Sequence, residues 1–498
     1  MSLFRKKSID ALLAHANNSR HGLQRTLGPG SLVALGIGAI IGAGLFVRTA
    51  DAAGHVAGPA VMLSFVIAAV GCLFAGLCYA EFAAMIPISG SAYAYSFVTM
   101  GELVAWIIGW ALVLEYALGA ATVSIAWSEY LNKLFDGAIP FAWCHSPWDP
   151  AGPNGEHGLC NVPALLILAI LTGILIKGTK ESALVNAIIV FVKVAIVLLF
   201  IVVGWQFVSV DNHTPFFIAA DDPTTEQIRA KALGQPLPEG HRGFLEYGWG
   251  GVLRGASIVF FAFIGFDAVS TAAQEAKKPE RDMPIGILGS LVACTILYVL
   301  FGHVLTGVAN WQEFVTSGKE ASVAFAIQAH MPGYGWLATS VTVAILAGFS
   351  SVILVMLLGQ SRVFFSMAHD GLLPRVFSDL HPRFRTPYKA NLLLFVLVGA
   401  FGGFVPGSVA GDLTSFGTLL AFVLVSAGIL VMRRSNPGMA RPFRTPFVPL
   451  VPVLGVLVCG GMLVAIDPET QLVALGWMAF GLLIYFAYSR HHSHLKHS

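Results

Sequence analysis

The chain has 498 residues, 56% of them hydrophobic and 11% charged, with a formal net charge of +2 and a mean hydropathy of +0.75. Soluble domains carry about 25% charged residues, so this composition excludes a soluble globular protein. The apolar runs are continuous rather than alternating, which excludes a transmembrane β-barrel and points to an all-α polytopic membrane protein.

The first 30 residues are polar and basic (Arg5, Lys6, Lys7, Arg20, Arg25) and lack the apolar core of a cleavable signal peptide, so the first span is expected to remain in place. Twelve spans are predicted, at about 31–51, 60–86, 102–134, 162–177, 183–208, 249–276, 284–308, 336–365, 389–406, 412–432, 447–466 and 472–489. The connecting loops alternate in character. "IKGTKES", "EAKKPERDMP", "HDGLLPRVFSDLHPRFRTPYK" and "RRSNPGMARPFRTP" are basic, as are both termini, and together they hold most of the 29 Lys and Arg. The other loops are neutral or acidic, including 209–246 with its "ADDPTTEQ". This asymmetry predicts cytoplasmic termini and cytoplasmic basic loops. The organisation expected is an N-terminal segment 1–30, a first half 31–208, an outer loop 209–248, a second half 249–432, a final pair of spans with its preceding loop at 433–489, and a tail 490–498.

Span 1 carries "GIGAIIGAGLF", with glycine at 36, 38, 42 and 44. Each glycine inside a helix costs roughly 1 kcal/mol against alanine. Two readings stand side by side: Gly38 and Gly42 form a GxxxG pair for close helix packing, or the glycines mark a helix break. In span 2, Glu81 is placed near a cytoplasmic gate. In span 3, Glu115 lies at mid-depth, either lining a pocket that accepts a cationic side chain or as a protonated, hydrogen-bonded packing residue. Cys144 and Cys160 flank a polar loop where a disulfide would form in an oxidising compartment, whereas Cys72, Cys78, Cys294 and Cys459 lie in spans as small packing residues.

In span 5, Lys193 lies 13 residues beyond Lys180, about 20 Å into the bilayer at 1.5 Å rise per residue. That is out of snorkelling reach, so the side chain must face the protein interior. A lysine out of water can exchange its proton, making Lys193 a candidate proton carrier; the other reading is a permanently charged lysine paired to a carboxylate. Span 6 contains "FFAFIGFDAVS", where Gly265 and Asp267 interrupt an apolar helix, Asp267 as a polar lock. In span 7, His303 is expected to be a satisfied interior histidine.

The two break signals lie five spans apart and would run through the membrane in opposite directions, as in an inverted repeat of spans 1–5 and 6–10. Unwound backbone at mid-depth must be satisfied by something lining a cavity. A half-helix N-terminus suits a carboxylate and freed carbonyls suit an ammonium, so the pattern fits a zwitterionic α-amino acid. No Cys/His spacing resembles a metal site, no GxxxxGK phosphate loop is present, and no nucleophile–base cluster supports an enzyme.

Four stretches carry a family resemblance: "GIGAIIGAGLFV", "CYAEFAAMIPISGSAYAYSF", "FFAFIGFDAVSTAAQEAKKPERDMPIGI" and "LLGQSRVFFSMAHDGLLP". From about residue 20 to the C-terminus the chain resembles the amino acid–polyamine–organocation (APC) superfamily and, within it, the cationic amino acid transporter (CAT) subfamily of bacterial type. The resemblance implies a LeuT-type fold: a 5+5 inverted repeat plus two C-terminal helices, with helices 1 and 6 unwound at mid-membrane. It implies that a substrate carboxylate meets Ile40, Ile41, Gly42, Ala43 and Gly44. The amine would meet the backbone at Phe261, Ala262, Phe263 and Ile264, with Phe261 or Phe263 as a gate.

Lys193 matches the fifth-helix lysine that stands, in proton-coupled relatives, where others bind sodium. The proton is therefore the expected coupling ion, with no sodium and no cofactor. Phe349, in "GFSS", falls where a side chain would face the pocket, limiting substrate size and screening Glu115. The function implied is alternating-access symport of small to medium neutral L-amino acids with protons, in a bacterial plasma membrane. Exchange of cationic amino acids or polyamines, or sensing of amino acids on a transporter fold, are the alternatives. The partners expected are the amino acid and the lipid bilayer, without nucleic acid. Loop 209–246 is long for the family and has no function assigned by the resemblance.

Overall fold

The computed structural model describes residues 5–7, 27–86, 91–152, 155–178, 183–273, 276–316, 322–384 and 386–494. A long apolar stretch can close its backbone hydrogen bonds without water only by coiling, and among the described residues there are helices and no strands, apart from one isolated bridge between Leu27 and Ala276. Among the described residues eight helices are long and apolar enough to cross a membrane. Four apolar helices are shorter: Pro29–Ile40, Val162–Lys177, Tyr388–Phe404 and Leu450–Val464.

The first apolar run is divided into α1 (Pro29–Ile40), α2 (Ala43–Phe46) and α3 (Arg48–Ala52). From α3 the chain passes through a π-turn (Ala53–Ala57) and a 3-10 turn (Gly58–Ala60) into α4 (Val61–Met85). A short α5 (Ser91–Thr99) precedes α6 (Glu102–Leu134), whose middle is a π-turn at Leu114–Leu118. Then come α7 (Val162–Lys177), α8 (Ala183–Gly204), the loop helix α9 (Thr225–Ala232) and α10 (Gly248–Val259). A 3-10 turn (Phe260–Phe263) and α11 (Ala268–Thr271) complete the sixth predicted span. The rest is α12 (Pro279–Val308), α13 (Glu313–Thr316), α14 (Ser322–His330), α15 (Gly335–His369), α16 (Tyr388–Phe404), α17 (Gly407–Ser435), α18 (Leu450–Val464) and α19 (Pro468–Ile484). The seventh predicted span begins five residues earlier than 284, because Pro279 takes the first helical turn and Glu280 and Asp282 complement the helix dipole there.

The helices pack in two groups. In one, α12 lies along α4 and α1, and α10 packs on α4; in the other, α15 lies along α6, and α16 along α7. Helix α8 touches α1 and α12 on one side and α15 on the other, so it stands between the groups. Helix α17 packs on α18, α4 and α6.

Polar locks fasten the ends. Glu81 is fully buried and accepts both Nε (3.0 Å) and Nη2 (2.9 Å) of Arg433, together with the Thr445 N–H at 2.7 Å. Both ends of the described chain converge on Asp370: its carboxylate pairs with Lys7 and accepts the Tyr93 hydroxyl at 2.8 Å, and its carbonyl accepts the His494 N–H at 3.1 Å. Cys144 and Cys160 are not joined to each other, so the disulfide considered from the sequence is not formed. His303 packs between Trp205 and His213, with ring centroids 5.1 and 4.7 Å away.

Helix α19 is held to α6 by tryptophans. Trp106 and Trp110 donate their indole N–H groups to the carbonyls of Gly481 and Trp477, each at 2.9 Å, and the Trp110 and Trp477 rings stack at 4.8 Å. A Cβ on Gly481 would lie 2.3 Å from Trp110 Cδ1, whereas one on Gly476 would meet nothing within 4 Å. Gly481→Ala should therefore lower stability by about 1–3 kcal/mol through overpacking, and Gly476→Ala should be neutral or stabilising; thermal unfolding of the two variants in detergent checks the contrast.

Candidate functional site

Helix α1 stops at Ile40 because the next two residues leave helical geometry: Ile41 has ψ 106°, and Gly42 is extended at φ −153° and ψ −151°. The interruption between α10 and α11 is similar in kind. The 3-10 turn ends at Ile264, which is extended (φ −60°, ψ 135°), and Gly265 follows at φ +111°.

The two breaks lie against each other. A Cβ on Gly44 would be 2.2 Å from Ala262 Cα, and one on Gly265 would be 2.8 Å from the Ala39 carbonyl oxygen. Gly265 also needs a φ that side chains rarely adopt. Of the GxxxG pair considered from the sequence, Gly42 stands in the break itself. Gly36 packs closely, with Ser290 Oγ only 2.4 Å from where its Cβ would be, and Gly44 allows the two breaks to meet.

Side chains from neighbouring helices supply part of what the broken backbone lacks. The Tyr298 hydroxyl on α12, fully buried, lies 3.1 Å from the Ile40 carbonyl oxygen and 2.9 Å from that of Ala262, so one side chain reaches both breaks. Lys193 on α8 is buried and donates from Nζ to the Gly38 carbonyl at 2.9 Å. Its stem fits because residue 348 on α15 is glycine; a Cβ there would lie 2.9 Å from Lys193 Cε. Among the described residues Lys193 forms no ion pair, and the partner seen there is the Gly38 carbonyl of α1.

Phe261, Ala262, Phe263 and Ile264 are all buried around the second break, and Phe263 packs against Tyr298 at 5.2 Å. Asp267 is buried and accepts the Tyr116 hydroxyl at 2.5 Å, which ties the second break to α6. Glu115, in the π-turn of α6, is fully buried; neither of its oxygens receives a well-formed hydrogen bond, and Asp267 and Thr418 are its polar neighbours. Phe349 is buried in an aromatic layer with Phe46 (6.1 Å) and Tyr130 (5.7 Å), beside α2. The α15 residue that faces Gly42 is Val352, 3.3 Å from where a Cβ would stand.

Beyond α2 lies a charge cluster that the sequence reading did not identify. Arg48 on α3 donates to Asp51 and to Asp412 on α17. Arg254 on α10 donates to the other oxygen of Asp412 at 3.1 Å and to the Ala465 carbonyl at 3.2 Å. His55 Nδ1 stands 3.2 Å from Asp51. One carboxylate thus joins the far halves of both broken helices to α17. The available signal was the Arg48–Asp51 spacing, which puts opposite charges on one helix face. A cavity of 280 Å³ lies over the cluster, lined by His55, Val56, Arg254, Ser408, Asp467 and Thr470 among others. Among the described residues no three His, Cys, Asp or Glu side chains converge as a metal site would require.

The amino acid permease family profile matches residues 27–487. Over 99% of both chains, the sequence is 41% identical to the branched-chain amino acid permease BcaP of Bacillus subtilis and 38% identical to the methylthioribose transporter of the same organism. It is 34% identical to the vacuolar cationic amino acid transporter 4 of Arabidopsis thaliana, over 88% of this chain and 68% of that one.

The contact between the breaks makes Gly44 the least replaceable glycine of span 1. Gly44→Ala should push α2 off Ala262 and abolish ligand binding, whereas Gly30→Ala, with nothing within 4 Å of its added methyl, should leave it unchanged. Ligand-induced thermal stabilisation of the purified variants, with leucine as the probe, reads the difference.

Proposed function

The chain belongs to the amino acid permease family, and on that premise we propose that it is a proton-coupled symporter of small to medium neutral L-amino acids, working by alternating access in a bacterial plasma membrane. The observation that carries this reading is the pair of helix breaks held face to face, Gly44 against Ala262, with Lys193 on the carbonyl of Gly38.

In this reading the apolar helices form twelve spans of LeuT type, with inverted repeats over 31–208 and 249–432, a loop at 209–248 between them and two further spans within 433–489. Both termini, and the Asp370 junction where they meet, face the cytoplasm. The substrate carboxylate takes the free amides around Gly42, Ala43 and Gly44, and the ammonium takes carbonyls between Phe261 and Ile264. Val352 and the layer of Phe46, Phe349 and Tyr130 bound the side chain with apolar surface, which favours an aliphatic substrate.

Helices α1, α4, α10 and α12 move against α6, α7, α15 and α16. The Arg48–Asp412–Arg254 cluster opens on the outer side, and the Glu81 and Asp370 locks open on the inner side. Lys193 sits between the two groups. Protonated, it tethers α1 through Gly38; on losing the proton it holds that carbonyl less strongly, and the inner half of span 1 is released. A protonated amine at this place also repels sodium.

Glu115 favours a second reading. Its buried oxygens lack well-formed hydrogen bonds, and a cationic side chain would supply donors, as an exchanger of cationic amino acids requires. The relatives do not choose between substrates by overall identity, since proteins named for a branched-chain amino acid and for methylthioribose are almost equally similar to this chain.

The test is uptake of radiolabelled leucine, alanine, arginine and methylthioribose into proteoliposomes, with and without an inward proton gradient. The reading expects gradient-driven accumulation of leucine and alanine and none of arginine. Arginine uptake that ignores the gradient and is stimulated by internal arginine overturns it in favour of exchange. Lys193→Met should abolish accumulation against a concentration gradient while leucine still stabilises the protein; accumulation at the original level in that variant removes the lysine from the mechanism.

A further inference from the structure

The segment between α8 and α10 is folded throughout. Thr224 caps α9 by accepting the Gln227 N–H, and the Gln227 side chain returns to the Thr224 N–H (2.9 Å) and to the Pro238 carbonyl (3.0 Å). The buried centre of the loop is Arg242. Its guanidinium donates to the carbonyls of His55 (3.0 Å), Glu246 (3.0 Å) and Pro223 (2.6 Å), and it lies 5.5 Å from the ring of Trp311. These partners belong to the π-turn after α3, the approach to α10, the loop itself and the connection after α12. Burial draws the guanidinium below the usual arginine pKa, and the three carbonyls replace its lost water.

The His55 carbonyl is left over by the local geometry: the π-turn ends where Gly58, at φ +58°, gives its N–H to Ala53, and Pro59 after it has no N–H to give. Two further contacts bind the same elements. Ile218 covers Gly58 (a Cβ there would lie 2.8 Å from Ile218 Cγ1) while its carbonyl accepts the Gly248 N–H at 3.0 Å. Gly251 of α10 lies so close to the Val56 carbonyl that a Cβ would sit 2.2 Å from the oxygen. His55 and Val56 are also rim residues of the cavity over the Arg48–Asp412 pair.

We propose that residues 214–246 form a clasp with Arg242 as its positioning residue, fastening the outer halves of both broken helices into one body so that Arg48 and Arg254 engage Asp412 together. The assignment rests on the transport reading for which side is the outer one. Arg48 is carried by α3 and Arg254 by α10, and a single carboxylate receives both. If the two helices drifted apart, one arginine would leave Asp412 and the route past the cavity would open. Arg242 touches neither arginine and not the substrate, so it acts through the relative placement of α3 and α10.

The test uses Ser408, which lines the cavity, as a reporter. S408C is labelled with a membrane-impermeant thiol reagent in the full-length C144S/C160S protein, without substrate or gradient. Arg242→Met should raise the labelling rate roughly tenfold, the population shift expected when charge-assisted hydrogen bonds are lost. In uptake assays the same variant should lower kcat several-fold without raising KM, because closure rather than binding is impaired. Arg242→Lys should recover part of the effect, since an ammonium reaches some of the carbonyls but lacks the planar fork.

Ile218→Ala uncovers Gly58 without touching Arg242, and should raise labelling in the same direction by less; it carries the test if Arg242→Met fails to fold. Unchanged labelling in the folded variants overturns the clasp while leaving the transport reading intact. Failure of the parent protein to move any substrate tested defeats that reading, and the labelling result then stands independently.

Discussion

Backbone groups released inside an apolar environment have to be satisfied, and the two helix breaks make that demand the organising constraint of this molecule. An unmet buried carbonyl or amide costs about 1–3 kcal/mol, so interruptions at Ile41–Gly42 and Phe260–Gly265 persist only because neighbouring elements answer them. Tyr298 reaches a carbonyl from each break, Lys193 holds the turn of α1 before the first, and Tyr116 secures Asp267 after the second. Each donor comes from a different helix: α12, α8 and α6. The packing of the bundle around the breaks is therefore also the means by which any change at the breaks reaches the rest of the protein.

The same constraint explains which parts were legible in the sequence. Glycines and a charge inside apolar runs are visible without coordinates, and "GIGAIIGAGLF" and "FFAFIGFDAVS" break where those residues stand. Lys193 was legible from its depth alone. The partners were not, because Tyr298 reads as one aromatic among many in an apolar helix, and its role depends on α12 lying between both breaks. The Arg48 cluster was missed for a related reason. Arg48, Arg254 and Asp412 are separated by hundreds of residues, and only the crossing of α3, α10 and α17 brings them together. Phe349 lies on the expected helix and within the aromatic layer, and Val352, less than a turn away, faces Gly42, a neighbour that register alone did not single out. Loop 209–246 was invisible for another reason, since a buried arginine surrounded by carbonyls leaves no pattern in a polar stretch.

The charged contacts join different helices, and on the proposed transport reading they are where the protein comes apart. Arg48–Asp412 joins α3 to α17, Glu81–Arg433 joins α4 to α17, and the Lys193–Gly38 bond joins α8 to α1. Buried ion pairs contribute little net stability, because desolvation consumes most of the Coulombic gain, but removing one partner is expensive. Such pairs are poor general adhesive and effective switches: closed they are roughly neutral, and half-broken they are costly. A cycle that opens one side at a time needs contacts of this kind, provided that water or a ligand enters as they separate.

On the proposed transport reading, the positions of these contacts divide the work between substrate and proton. The arginine cluster lies beyond α2, beside a cavity where entering water can solvate both charges as they part. Lys193 has no such relief. It is enclosed by α1, α8 and α15, with Gly348 against its stem, and its one observed partner is a carbonyl that remains an acceptor whatever the conformation. A carbonyl cannot be switched off as an acceptor, so on the proposed reading it is the lysine, by losing its proton, that loosens this attachment to α1. On the proposed transport reading, the outer contact yields to water and substrate and the inner one to protonation state, the asymmetry that a proton-driven carrier requires.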